Sequence, residues 1–212
     1  MSRDGKLYSP AVGRNRDPIL DVLRRHLPQR GLVLEIASGS GEHAVHFAAA
    51  LGPDLLFQPS DADAEARASI DAWVASAGLA NVRPAIALDA SQEDWPIAEA
   101  DAVLCINMIH ISPWTATVGL MRGAGRVLRA SVRPGQRAAD KVLYLYGPYK
   151  QAGRHTAPSN ASFDAGLRER NPLWGVRDLE AVSALAAEHG FDRPVIEAMP
   201  ANNLSVIFRL VD

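Results

Sequence analysis

Two glycines, Gly39 and Gly41, alternate with small residues in Ala37-Ser-Gly-Ser-Gly41, directly after the apolar run at 31–36. Glycine gives the chain conformational freedom and leaves no side chain in the way, so a ligand can lie against such a turn. A helical pattern starts at Glu42, and the start of a helix presents free N–H groups. Carboxylates stand around the turn. Glu35 precedes the glycines, Asp61 follows the next apolar run, and Asp89 with Ala90 follows the one after that. Carboxylates at successive ends of apolar runs can accept from hydroxyl and amino groups and can face a cation. This set of residues is suited to holding a nucleoside-bearing cofactor.

Two cofactor classes fit the spacing. Gly39-Ser-Gly41-Glu-His-Ala44 matches the dinucleotide pattern G-x-G-x-x-G/A, with Asp61 about 20 residues further on. Glu35 weighs against a dinucleotide, because a doubly anionic pyrophosphate gains nothing from a carboxylate nearby. S-adenosylmethionine carries a sulfonium and an ammonium, and a carboxylate there is electrostatically favourable. A length of 212 residues is also short for a dehydrogenase with a separate catalytic domain. The methyl donor is therefore preferred, with Asp61 placed to accept from ribose hydroxyls and Asp89 from an adenine amino group. Each acidic residue alone reads as a solvated loop carboxylate or helix cap. Three at successive strand ends favour a binding role.

The elements that must position them alternate. Strand patterns at 31–37, 54–60, 81–88, 100–109 and 141–149 are separated by helical patterns at 42–51, 64–79 and 116–130. A helix at 18–27 precedes them and one at 177–191 follows. The tail, 193–210, holds two strand patterns joined by Pro-Ala-Asn-Asn. Such alternation predicts an α/β, doubly wound, mostly parallel seven-stranded sheet, closed by a C-terminal antiparallel hairpin. One domain is expected over 1–212, with an N-terminal arm and helix at 1–30 and a structure-poor insertion at 147–176. In such sheets the ligand lies beyond the strand ends at the switch point, where 31–37 is expected.

Composition narrows the rest. Lys and Arg number 22 against 24 Asp and Glu, for a net charge of −2, and no basic stripe advertises nucleic acid. No apolar run approaches the ~18 residues of a membrane span. The N-terminus is polar, without the apolar core of a secretory signal, and the single Cys105 lies in an apolar run. A soluble, cytoplasmic setting is expected. His43 and His46 are spaced i, i+3, but no motif completes a metal site. The turn also lacks the Lys-Ser/Thr of a P-loop and the G-x-S-x-G of a nucleophile elbow.

Strand, acidic residue, glycine turn and further acids after the second and third strands resemble the class I S-adenosylmethionine-dependent methyltransferases, whose Rossmann-like fold this implies. Ala37 departs from the glycine those enzymes often have there. More narrowly, "SPAVGRNRDPIL" (9–20), "QPSDADAE" (58–65), "CINMIHISPW" (105–114), "LYLYGPYK" (143–150), "GRHTAPSNASFDAGLRERNPLWGVRDLE" (153–180) and "MPANNLS" (199–205) resemble the methyltransferase-like protein 26 group, also described as a domain of unknown function. The resemblance implies S-adenosylmethionine as cofactor. Its contacts are then expected at Asn15, Glu35, Ala37, Ser38, Gly39, Gly41, His43, Asp61, Asp89, Ala90 and Asn107.

Residues after the fourth strand face the methyl group in class I enzymes, which makes Asn107 and His110 the catalytic candidates. An imidazole suits proton transfer. The competing role for His110 is a hydrogen-bonded structural histidine under Trp114. Trp114, Tyr146, Tyr149, Arg154, His155, Asn160 and Phe163 are candidate contacts to a small-molecule acceptor, although an ordered loop pinned by its aromatics accounts for them equally. Two other functions stay open: a non-catalytic module that binds the cofactor or a partner, and a NAD-dependent oxidoreductase.

Overall fold

Ile19, Leu20, Val22 and Leu23 give the first helix one apolar face. In the computed structural model, which describes residues 5–212, that face is closed against a sheet. The chain runs as helix α1 (Val12–His26), strand β1 (Gly31–Ile36), α2 (Glu42–Leu51), β2 (Leu55–Asp61), α3 (Ala64–Ala77), β3 (Ile86–Ala87), β4 (Ala102–Ile106), α4 (Trp114–Ala130) and β5 (Val142–Gly147). It continues as β6 (Tyr149–Gln151), β7 (Arg154–His155), α5 (Pro158–Arg170), β8 (Arg177–Asp178), α6 (Leu179–Glu188), β9 (Val195–Met199) and β10 (Asn203–Arg209).

Seven strands form one sheet in the order β3-β2-β1-β4-β5-β10-β9. The first five run parallel, and β10 is antiparallel to both β5 and β9. This is the Rossmann-like α/β sheet with the antiparallel hairpin that the alternation predicts. Successive residues of a strand face opposite sides, so each central strand feeds two cores. Leu34, Ile36, Val103, Cys105 and Leu145 pack with Leu120, Met121 and Val182. Val33, Leu104 and Tyr144 pack with Ile19, Leu23 and Phe47 on the other side. Burying one such side chain contributes ~1.5–3 kcal/mol, and these rows hold the strand ends in place.

The glycines of α4 serve contact. A Cβ at Gly119 would strike the Ala90 carbonyl oxygen, and one at Gly123 would strike the Trp95 ring. Helix α4 thus lies directly on the loop that carries Asp89.

Three local expectations are corrected. Helix α1 starts at Val12 rather than Pro18 and accommodates the proline within it. The third strand shrinks to Ile86–Ala87 plus a bridge between Phe57 and Val82. The 147–176 segment is well structured: it holds β6, β7 and α5, and β6 joins β7 and β8 in a second, three-stranded sheet. Among the described residues no helix is long and apolar enough to cross a membrane.

Candidate active site

Neighbouring strands β1 and β4 continue to opposite sides, β1 toward β2 and β4 toward β5, so the switch point lies between them. Both end in a non-glycine residue with left-handed backbone, Ala37 at φ 54° and Asn107 at φ 62°. Such residues cost on the order of 1 kcal/mol or more, and such strain gathers where a chain is bent around a site. Beside them opens a crevice of about 290 Å³, whose walls include Ala37, Asp61, Leu88, Asp89, Ala90 and Met108.

Glu35 occupies the last turn of β1 and is 2% exposed. Its Oε2 has no hydrogen-bond partner. Burial pushes its carboxyl up to about 7; a hydrogen bond from Ser38 opposes the rise and the charge of Asp61 adds to it. A buried carboxylate without a counter-ion is costly, and a cation brought beside it relieves that cost. The residues present therefore fit a ligand with an ammonium group.

The turn around Glu35 is laced by backbone. Ser60 Oγ donates to the Glu35 carbonyl at 2.7 Å, and the Ser38 N–H to the Ser60 carbonyl at 2.9 Å. Gly39 N–H donates to Asp61 Oδ2 and Asp63 N–H to Asp61 Oδ1, both at 3.0 Å. Asp61 is thereby aimed, with lone pairs left on both oxygens. Asp89 Oδ1 accepts from the Ser91 N–H at 2.8 Å and the Ser91 hydroxyl at 2.7 Å.

The two glycines divide their labour. Around Gly39, at φ 59°, a Cβ would meet nothing within 4 Å. At Gly41, φ 92°, it would lie 2.7 Å from the Ile70 Cα in α3. Gly39 leaves open space beside the turn, whereas the absent side chain of Gly41 lets α3 pack against it.

The His43 side chain has partners within the fold. It is 7% exposed, its Nε2 lies 2.9 Å from Asn15 Oδ1, and its ring stacks on Phe47. Burial first, then the charges of His46 and Arg16, lowers it to about 4. His46 instead faces Asp17 at 2.9 Å. Among the described residues no group of three or more His, Cys, Asp or Glu could hold a metal ion. Asn15 continues from His43 to the Tyr146 hydroxyl, which also bonds Asn203; both oppose the upward push of burial on that phenol.

His110 is fully buried, at 0% exposure. Its Nδ1 accepts from the Arg177 N–H at 3.4 Å, its Nε2 has no partner, and the ring meets Tyr149 edge-on at 5.1 Å. Burial, helped by the charge of Arg177, lowers it to about 3. A neutral imidazole sealed from solvent has little drive to take a proton at neutral pH, which argues against a general base at this position. Tyr149, also at 0%, packs in the core. Asn160 is buried and donates to Thr156 Oγ1 and the Asn202 carbonyl. His155 lies 3.3 Å from Asp164, Arg154 and Phe163 reach solvent, and Trp114 packs against the core with Arg177 over its ring.

Two residues escape a reading by motif. Asp164 is buried among Lys150, His155 and Arg168 and accepts from the Val176 N–H at 2.7 Å, which ties the 147–176 segment together. Arg177 donates from Nε to the Ile109 carbonyl at 2.8 Å and from Nη2 to the carbonyls of Ser112, 2.6 Å, and Leu173, 3.0 Å. Its rigid fork fastens the 108–113 wall of the crevice to the insertion. Lysine keeps the charge but not the fork. Arg177→Lys is expected to cost about 1–2 kcal/mol, lowering Tm by roughly 2–8 °C, and to weaken ligand binding in the crevice several-fold. Thermal unfolding and calorimetry on the same sample measure both.

Solved structures of methyltransferases share this fold. The S-adenosylmethionine-dependent methyltransferase SibL, in its apo form, superposes with a TM-score of 0.73 at 21% identity, covering 95% of this chain and 56% of its own. An O-methyltransferase family protein from Burkholderia thailandensis gives 0.75 at 16% identity, covering 95% and 58%. Human N-acetylserotonin methyltransferase in complex with SAM gives 0.69 at 14% identity, covering 95% and 53%. The chain thus spans little more than half the length of these proteins. By sequence it belongs to the family described as protein of unknown function DUF938, whose model matches residues 6–210.

Proposed function

We propose that the chain binds S-adenosylmethionine in the crevice and transfers its methyl group to a small-molecule acceptor, in a cytoplasmic setting. The observation that carries this is Glu35, a buried carboxyl with an unpartnered oxygen, pushed upward by burial. Glu35 and the Ala37–Gly39 backbone hold the amino-acid end, Asp61 the ribose and Asp89 with Ala90 the base. When bound, the cofactor supplies a methyl on a sulfonium, already activated for displacement. What remains for the chain is to orient a nucleophile and exclude water. Asn107, at the switch point, is suited to hydrogen-bonding the acceptor or the cofactor. Trp114, Tyr146, Arg154, His155, Asn160 and Phe163 stay candidates for shaping the acceptor side. The likeness to the methyltransferase-like protein 26 group rests on the six stretches quoted above.

A second function, cofactor binding without transfer, is favoured by the burial of His110, which leaves acceptor deprotonation without its imidazole candidate. A nicotinamide dinucleotide would set its pyrophosphate near Glu35, where the charges repel. Calorimetry is expected to give micromolar binding of S-adenosylhomocysteine and none of NADH; the reverse overturns the proposal. Methyl-labelled donor, incubated with the protein and a metabolite extract, then separates the first two functions. Label in a small molecule supports transfer, and binding without label across a broad acceptor panel supports the non-catalytic module.

A further inference from the structure

The opposite end of the sheet holds a second concavity. The six residues of β1 set it roughly 17 Å from the crevice, at about 3.3 Å per residue. It occupies about 430 Å³ at the N-terminal ends of β1, β4 and β5 and the C-terminal end of β10. Four cationic side chains line it: Arg25, Arg30, Lys141 and Arg209.

Their partners leave positive charge over. Lys141, 4% exposed in its side chain, pairs with Asp101 at 2.6 Å. Among the described residues that is one acceptor for an ammonium with three protons. Asp101 Oδ2 is itself engaged by the Leu32 N–H at 2.8 Å. Arg25 pairs with Glu197, which also meets His26 at 2.7 Å. Asp140, the other carboxylate in the wall, pairs with Arg137 at 3.0 Å. Arg209 spends one N–H on the Ala139 carbonyl and has no ion-pair partner among the described residues. Arg30 has neither a hydrogen-bond nor an ion-pair partner among them. The cleft thus has donors without acceptors around a nearly buried ammonium: Arg30 has no carboxylate partner among the described residues, and Arg209 faces only Asp140, whose charge Arg137 already takes up.

We propose that this basal cleft binds a small polyanion carrying two or more phosphate or carboxylate groups, at a site separate from the crevice. Guanidiniums recognise such oxygens bidentately, and the nearly buried Lys141 adds N–H donors beyond the one that Asp101 takes up. The site does not depend on the function proposed for the crevice.

The test is calorimetry with inorganic pyrophosphate and, in parallel, citrate, in metal-free buffer at physiological ionic strength. Saturable sub-millimolar binding of at least one is expected. The two probes tell phosphate from carboxylate chemistry. It should weaken about ten-fold or more in Arg30→Glu/Arg209→Glu and be unchanged in Arg126→Glu, a control on the outer face of α4. Binding of S-adenosylhomocysteine should be the same in all three proteins. If the double variant fails to fold, Arg30→Gln, an exposed and unpartnered position, serves with a smaller loss expected. No saturable binding of either probe, equal binding by the variants, or displacement of the probe by S-adenosylhomocysteine would overturn the proposal.

Discussion

Glu35→Gln is expected to make the ligand-free chain more stable at pH 8 and a far weaker binder of S-adenosylhomocysteine. Both effects have one origin. The folded carboxyl titrates near 7 against 4.5 in the unfolded chain, because burial leaves it unpaired. A carboxylate whose pKa rises on folding makes the folded state bind more protons than the unfolded one between those values, so stability falls as pH rises through that window. The loss reaches about 3 kcal/mol above pH 7, since each tenfold change in proton affinity is worth ~1.4 kcal/mol. Glutamine has the same shape and no charge to strip of water. It should raise Tm by roughly 6–12 °C at pH 8 and by little at pH 4. For binding the sign reverses, since an ammonium near the ionised carboxylate gains an attraction that glutamine cannot return. The affinity should drop about 10- to 100-fold. Unfolding curves at the two pH values and a calorimetric titration check the pair of effects. A variant that is stabilised yet binds as well as the parent would separate Glu35 from the ligand.

Gly41→Ala and Gly39→Ala should part company as sharply. At Gly41 a methyl meets the backbone of Ile70 at 2.7 Å and the residue sits at φ 92°, so α3 must move away from the turn. A loss of about 3 kcal/mol or more is expected, close to 6–12 °C in Tm. At Gly39 the methyl enters open space, and only the left-handed backbone, about 1 kcal/mol, opposes it. That protein should fold almost normally. It should nonetheless lose cofactor affinity, because the space a ligand needs to approach the backbone is now filled. Thermal unfolding beside S-adenosylhomocysteine titration distinguishes a damaged fold from an obstructed site.

The parts of the fold that were legible are those whose periodicity local chemistry imposes. Apolar runs such as 31–36 and 102–106 are buried on both faces of a parallel sheet and announce themselves. The order of the carboxylates follows from the order of the strands, which is why Asp61 and Asp89 both stand in the crevice wall. What the pattern hid depends on distant partners. The 147–176 segment looks structureless because its order comes from Asp164 and the side chains of Lys150, His155 and Arg168 brought together by the fold, not from a repeat of apolar residues. Arg177 bonds carbonyls 65 and 68 residues away and leaves no local trace. His110 looks reactive as a polar residue beyond a strand end; only the packing of Tyr149 and Gly147 against its ring reveals that it is enclosed. The alternating small residues of the turn mark Gly39 and Gly41 alike, and the difference between them is set by α3.

The most direct measurement is the proton count that accompanies S-adenosylhomocysteine binding at pH 6, obtained by calorimetry in two buffers of different ionisation enthalpy. With its carboxyl near 7, Glu35 is ~90% protonated in the free chain, and an incoming ammonium should expel close to one proton, a release absent in Glu35→Gln. Binding with no proton released, or with a proton taken up, would contradict the pairing of this carboxylate with a cationic ligand.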